Sequence, residues 1–111
     1  MKKLTEKEYQ DLMQRFADAW GVKSQQVMAI EEMSELQKEL CKYLRRTENS
    51  GEYTKEEIEE TISNIQEEIA DVLIIVTQMR SIFGADEVDK MIDRKLQRGA
   101  ERLEKWMKEQ K

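Results

Sequence analysis

The stretch "QEEIADVLIIVTQM" (Gln66 to Met79) sets two acids, Glu68 and Asp71, against an almost unbroken apolar run. Counting back from it, Ile58, Ile62, Ile65, Ile69, Val72, Val76 and Met79 recur in alternating steps of four and three. That is the period of a helix with one buried stripe. Around Asp71 the apolar residues Val72, Leu73, Ile74, Ile75 and Val76 occupy every side. A helix apolar all round is buried all round, and four helices of one short chain can hardly surround it. The run therefore predicts an all-α four-helix bundle completed by oligomerisation, as a homodimer or homotetramer.

The other helices follow from their start and stop signals. Thr5 with Glu8 forms a capping box ahead of Tyr9, Leu12, Met13, Phe16 and Trp20, and Gly21 ends that helix. Ser24 is the expected cap of a second helix reaching about Arg46. The loop "TENSGEY", with Asn49, Ser50 and Gly51, breaks the pattern. Thr54 with Glu57 is a second capping box, opening the third helix, which is expected to end near Gly84. Asp86 with Asp89 is expected to open the fourth, through Val88, Met91, Ile92, Leu96, Leu103 and Trp106. With 111 residues and no repeat or linker, the expectation is one domain over residues 1–111.

Composition narrows the chemistry. The chain has no Pro, four Gly and 39% charged residues, which favours long solvent-facing helices over sheets. A net charge of −5 argues against nucleic acid as the main partner, since phosphate backbones need clustered Lys and Arg. There is no His, which removes imidazole metal sites, a Ser-His-Asp triad and a His base. One cysteine, Cys41, allows neither an internal disulfide nor a cysteine zinc site. The opening "MKKLTEKEYQ" has no apolar core of a signal peptide, and no run is long enough to span a membrane. A cytoplasmic protein is the expectation.

A second acidic pair sits in "AIEEMSELQKEL" (Ala29 to Leu40). At about 100° per residue, Met28 and Leu36 flank Glu32 by roughly 40° on either side, and Glu35 lies about 60° round at the edge of the arc. On the third helix Val72 and Ile75 flank Glu68 within roughly 40°, with Asp71 about 60° round. Glu31 and Glu67 turn further towards solvent, whereas Glu39 also falls on the stripe. With 24 Asp and Glu in the chain, either spacing alone arises readily by chance. The informative feature is that both pairs lie inside apolar stripes on adjacent helices. A lone buried carboxylate would take up a proton. Two facing pairs can instead share a divalent cation, and oxygen-only ligands suit Mg²⁺ or Mn²⁺ better than zinc or copper.

The fourth helix carries cations where the others carry acids. Lys95 lies among Val88, Met91, Ile92 and Gly99, with Arg98 at the edge of the same arc and Arg102 further along it. Such chains either snorkel to solvent or reach a polyphosphate held at the carboxylates, with Gly99 leaving room for a close neighbour. Gln25 falls on the Glu32 face and Trp20 just precedes it, so these two are candidates for contacts to a base or sugar. Ordinary packing is the competing role for Trp20.

With "EMSE" (Glu32 to Glu35) and "EIAD" (Glu68 to Asp71) in the phrases "AIEEMSEL" and "EEIADVLI", the chain resembles the MazG-like all-α nucleoside triphosphate pyrophosphohydrolases. The resemblance covers Ser24 to Arg98. It implies Mg²⁺-dependent cleavage of a (deoxy)nucleoside triphosphate between the α and β phosphates, giving monophosphate and pyrophosphate. Glu32, Glu35, Glu68 and Asp71 would hold the metal and carry catalysis, with Lys95 and Arg98 on the phosphates. The family often follows the fourth-helix Lys with an Asn. Here Lys95 leads into "LQRGAE", without one, leaving Arg98 as the substitute.

Three rivals remain to be set beside this. A non-catalytic helical oligomer, an adaptor using the Ile58-to-Met79 stripe as its seam, must accept Glu68 and Asp71 in that seam, where acids are rare. A di-iron bundle requires Glu-x-x-His pairs, which this chain lacks. A nucleotide-binding relative without activity would keep all four acids.

Overall fold

The computed structural model describes residues 1–49 and 51–111. Ser50, one of the expected loop residues, lies outside the described residues. The fold is all-α: α1 spans Glu6–Trp20, α2 Val22–Glu48, α3 Lys55–Phe83 and α4 Ala85–Glu109, with no strand among the described residues. The chain divides into two compact units, Met1–Met79 and Arg80–Lys111.

Local chemistry starts the helices of the first unit. At α1 the Glu8 N–H donates to Thr5 Oγ1 (3.1 Å) and the Thr5 N–H donates to Glu8 Oε1 (3.0 Å). The same reciprocal pair recurs at Thr54 and Glu57, at 3.1 and 3.0 Å. Each box satisfies two backbone donors that a helix start leaves orphaned.

The start of α2 differs from expectation. Ser24 is inside the helix and caps nothing. Gly21, at φ 86° and ψ 151°, ends α1 and begins α2 in a single residue. Its N–H donates to Ala17 O (2.8 Å) and its carbonyl accepts from the Gln25 N–H (3.1 Å). A positive φ is open to glycine at little cost, so the corner needs no polar side chain. The far end of α2 runs two residues beyond Arg46, to Glu48. There the Asn49 N–H and Nδ2 both donate to Arg45 O, at 3.1 and 2.9 Å.

At about 1.5 Å per residue, α2 and α3 are each roughly 40 Å long. At the loop end Arg46 ties them together. Its Nη1 donates to Glu57 O (2.8 Å) and to Thr61 Oγ1 (2.6 Å), and its guanidinium stands 5.4 Å from the centre of the Tyr53 ring. Thr61 is wholly buried and donates in turn to Glu57 O (3.0 Å). Towards the other end, Ala29 on α2 and Ile75 on α3 are the buried apolar residues. Gln78 ties α3 to α1, donating Nε2 to Met13 O at 2.8 Å. Most apolar side chains of α2 and α3 are not covered within the chain: Ile30 is 58% and Leu73 62% exposed, and Met33, Leu44, Ile69, Ile74 and Val76 are exposed too.

In the second unit Gly84 (φ 116°) separates the end of α3 from α4, with its N–H on Arg80 O (3.1 Å) and its carbonyl accepting from the Val88 N–H (3.1 Å). The expected Asp86–Asp89 opening does not form: α4 has no side-chain cap, and Asp86 lies in its first turn. Asp89 is taken instead by Arg80, whose Nε donates to Oδ1 at 2.7 Å and Nη2 to Oδ2 at 2.5 Å. That bidentate guanidinium holds the Asp89 carboxyl below the usual carboxylate range. From Lys90 onward every residue is exposed, including Met91, Ile92, Leu96, Leu103 and Trp106. No helix among the described residues is long and apolar enough to cross a membrane.

Candidate metal centre and adjoining cavity

Glu32 comes from the middle of α2, Glu68 and Asp71 from successive turns of α3. All three are half-buried, and one carboxylate oxygen of each lies within 4.8 Å of the others. Ala29, three residues before Glu32 on α2, and Ile75, four residues after Asp71 on α3, are buried near them. Glu35, one turn on from Glu32, brings no oxygen into this cluster and is exposed. Its charge nevertheless bears on Glu68. Glu31 and Glu67 are exposed, as their angular positions require.

Electrostatics follow from crowding. Burial, and then the charges of Asp71 and Glu68, hold Glu32 above the usual carboxylate range, and hydrogen bonding with both acids adds to this. Glu68 is raised as well, first by burial and then by Asp71, Glu35, Glu67 and Glu39. Its Oε2 is buried with no hydrogen-bond partner. Glu39 lies just beyond. It pairs with Lys42 (3.5 Å), while its own Oε2 is buried and unpartnered. A buried carboxylate oxygen without a donor is costly. The arrangement can take up either protons or a cation, and its oxygen-only donors suit a hard ion.

Beside the acids is a cavity of about 150 Å³, lined by Phe16 and Trp20 of α1, Gln25, Met28 and Glu32 of α2, and Asp71, Ile74, Ile75 and Gln78 of α3. Glu32 and Asp71 thus belong both to the acidic cluster and to the cavity wall. Trp20 stacks on Phe16, ring centres 5.2 Å apart and planes at 20°, and is 58% exposed. It is a rim residue rather than core. Gln25 is 2% exposed, and its Nε2 has no hydrogen-bond partner.

Lys95, Arg98 and Arg102 are exposed on α4, in the second unit. Nothing lies within 4 Å of the point where a Cβ at Gly99 would stand. Cys41 is exposed and has no part in the cluster. Gln78 has no role in the sequence reading, and Phe16 stands there only on the apolar stripe of α1. A glutamine within the run "IIVTQM" was the available signal for the first, because a polar residue in an apolar stripe needs a partner. No family model, curated protein or solved structure matches the chain.

Proposed function

We propose that the chain is a Mg²⁺-dependent nucleoside triphosphate pyrophosphohydrolase, cutting between the α and β phosphates to give a nucleoside monophosphate and pyrophosphate. The observation that carries this reading is the half-buried cluster of Glu32, Glu68 and Asp71, with an unpartnered oxygen on Glu68, opening onto an apolar cavity. The MazG-like phrasing around those acids points the same way.

The donors fit a hard divalent ion. They are carboxylates only, and Glu68 Oε2 lacks any other partner. Glu32, Glu68 and Asp71 would hold Mg²⁺, or Mn²⁺ in its place, with the Glu35 charge acting on Glu68 from outside the group. When bound, the ion supplies charge neutralisation at the phosphates and a more acidic water.

The protein's own groups supply the rest. One acid of the cluster takes the proton of the attacking water as the anhydride bond breaks. Burial, and then the neighbouring acids, keep Glu32 and Glu68 more basic than free carboxylates, the direction that role needs. The cavity takes the base, with Trp20 at its rim and Gln25 in its wall.

The enzyme works as a homodimer or homotetramer in the cytoplasm, where its substrates are. The exposed apolar side chains of α2 and α3, among them Ile30, Met33 and Leu73, are supported best by a second copy covering them. A panel of ribo- and deoxynucleoside triphosphates, assayed for pyrophosphate with Mg²⁺ and with EDTA, tests the reading. Metal-dependent release upholds it. A folded oligomer that binds nucleotides and releases nothing would be the nucleotide-binding or adaptor protein instead.

A further inference from the structure

We infer that α4 carries an interface of its own: the apolar stripe Ile92, Leu96, Gly99, Leu103 and Trp106 pairs antiparallel with the same stripe of a second copy, across a twofold axis near Glu101. This surface uses neither the acids nor the exposed faces of α2 and α3, and it stands or falls independently of the nucleotide reading.

The stripe recurs in steps of four, three, four and three, the spacing of a coiled-coil seam. No residue from Lys90 onward is buried within the chain, and Leu96 is 68% exposed. Helices in proteins owe most of their stability to packing an amphipathic face, so this one calls for a cover. At about 100° per residue, Lys95 and Arg102 border the stripe on one side and Asp93 and Glu104 on the other. An anionic membrane would meet those acids, and the net charge of −5 opposes it further. A protein surface carrying both signs fits.

Size selects the occupant and its direction. In the antiparallel pairing, Leu103 of each copy enters the gap at Gly99 of the other, and Leu96 lies against Trp106. The gap is open, with nothing within 4 Å of the point where a Gly99 Cβ would stand. Glycine is costly inside a helix, and a hole that receives a leucine gives it a purpose. A parallel pairing would set Gly99 against Gly99 and Trp106 against Trp106, a void in one layer and crowding in the other. The exposed stripes of α2 (Ile30, Met33, Leu40) and α3 (Ile69, Leu73, Val76) offer no such hole.

Charge agrees with the same register. The ion pairs inside α4 are Lys90–Glu87 and Lys108–Glu104, and Lys95 and Glu109 stand outside them. The antiparallel register brings Lys95 of each copy to Glu109 of the other, twice by symmetry. Arg102 meets its own copy at the axis, one unfavourable approach against two favourable ones, at an exposed rim where salt screens it.

The test is crosslinking of the full chain by a short bismaleimide, with Cys41, the single native thiol, replaced by Ser. Ala100→Cys, beside the axis, should give covalent dimer at least about tenfold faster than Asp93→Cys, whose two copies this register sets far apart. Adding Gly99→Gln to the Ala100→Cys chain fills the gap and should slow the reaction about tenfold. If Gly99 merely faced solvent, the same change would only strengthen the helix. Equal or faster crosslinking at Asp93→Cys, no covalent dimer from Ala100→Cys, or a rate unchanged by Gly99→Gln would overturn the inference. The second of these is the result expected if α4 is covered by another part of the protein. Should the Gly99→Gln chain not fold, the comparison of the two thiol positions decides alone.

Discussion

Glu32 on α2 and Asp71 on α3 bring carboxylate oxygens within 4.8 Å of each other, with Glu68 completing the group, and both also line the adjoining cavity. One pair of side chains thus joins the acidic cluster to an apolar recess beside it. A ligand with a charged end and a flat apolar end would be held at both.

Removing one acid should separate the cluster from its periphery. Glu68→Gln should reduce turnover at least about a hundredfold while the oligomer persists. Glu35→Gln, whose carboxylate lies outside the group, should cost about tenfold or less. Steady-state kinetics with size-exclusion chromatography reads both, and equal losses would contradict the arrangement.

Acidity offers an independent check. The folded state raises Glu32 and Glu68 above their ordinary value of 4.5, so the metal-free fold binds more protons there than the unfolded chain. Its stability therefore declines as pH rises from 4.5 through the folded values. Mg²⁺ competes with those protons. The gain in melting temperature on adding Mg²⁺ should be larger at pH 8 than at pH 5, and a gain independent of pH would count against binding at these acids.

Asp89 behaves in the opposite sense. Arg80 lowers it from 3.8, so its contribution is present above that pH and disappears as pH falls through the folded value. Asp89→Asn should melt slightly below wild type at neutral pH and match it in strong acid. The pair is half-exposed, so the effect is small.

Thr61 is wholly buried and accepts from Arg46 while donating to Glu57 O. Thr61→Val keeps its shape but strands a guanidinium donor, at a cost of about 1–3 kcal/mol. Thr5→Ala, at an exposed cap, should cost about 1 kcal/mol. Chemical denaturation ranks them, and the reverse order would mean that the Arg46 tie adds little.

How far the fold could be read in advance depended on the range of each signal. The boxes at Thr5–Glu8 and Thr54–Glu57 were legible because both partners lie within one turn. Ser24 misled because Gly21 turns the corner with its backbone, and backbone freedom leaves no polar signature. Asp89 misled because Arg80, nine residues before it, takes its carboxylate. At the cluster, Glu32, Glu68 and Asp71 were legible as acids within apolar arcs. Glu35, at the edge of its arc, turns to solvent. The Gln78–Met13 tie spans 65 residues, and no local pattern encodes such a contact.

Leu73 separates an oligomer from a monomer. It is 62% exposed in the single chain, so Leu73→Glu should be harmless to a monomer. If a second copy covers it, the variant should dissociate and melt earlier, as light scattering would detect.

The most direct measurement is phosphorus NMR of the products when each triphosphate is turned over with Mg²⁺ by wild type and by Glu68→Gln. The account predicts nucleoside monophosphate and pyrophosphate from wild type, silence with EDTA, and silence from the variant. Diphosphate and orthophosphate, or no turnover by a folded, metal-loaded oligomer, would contradict it.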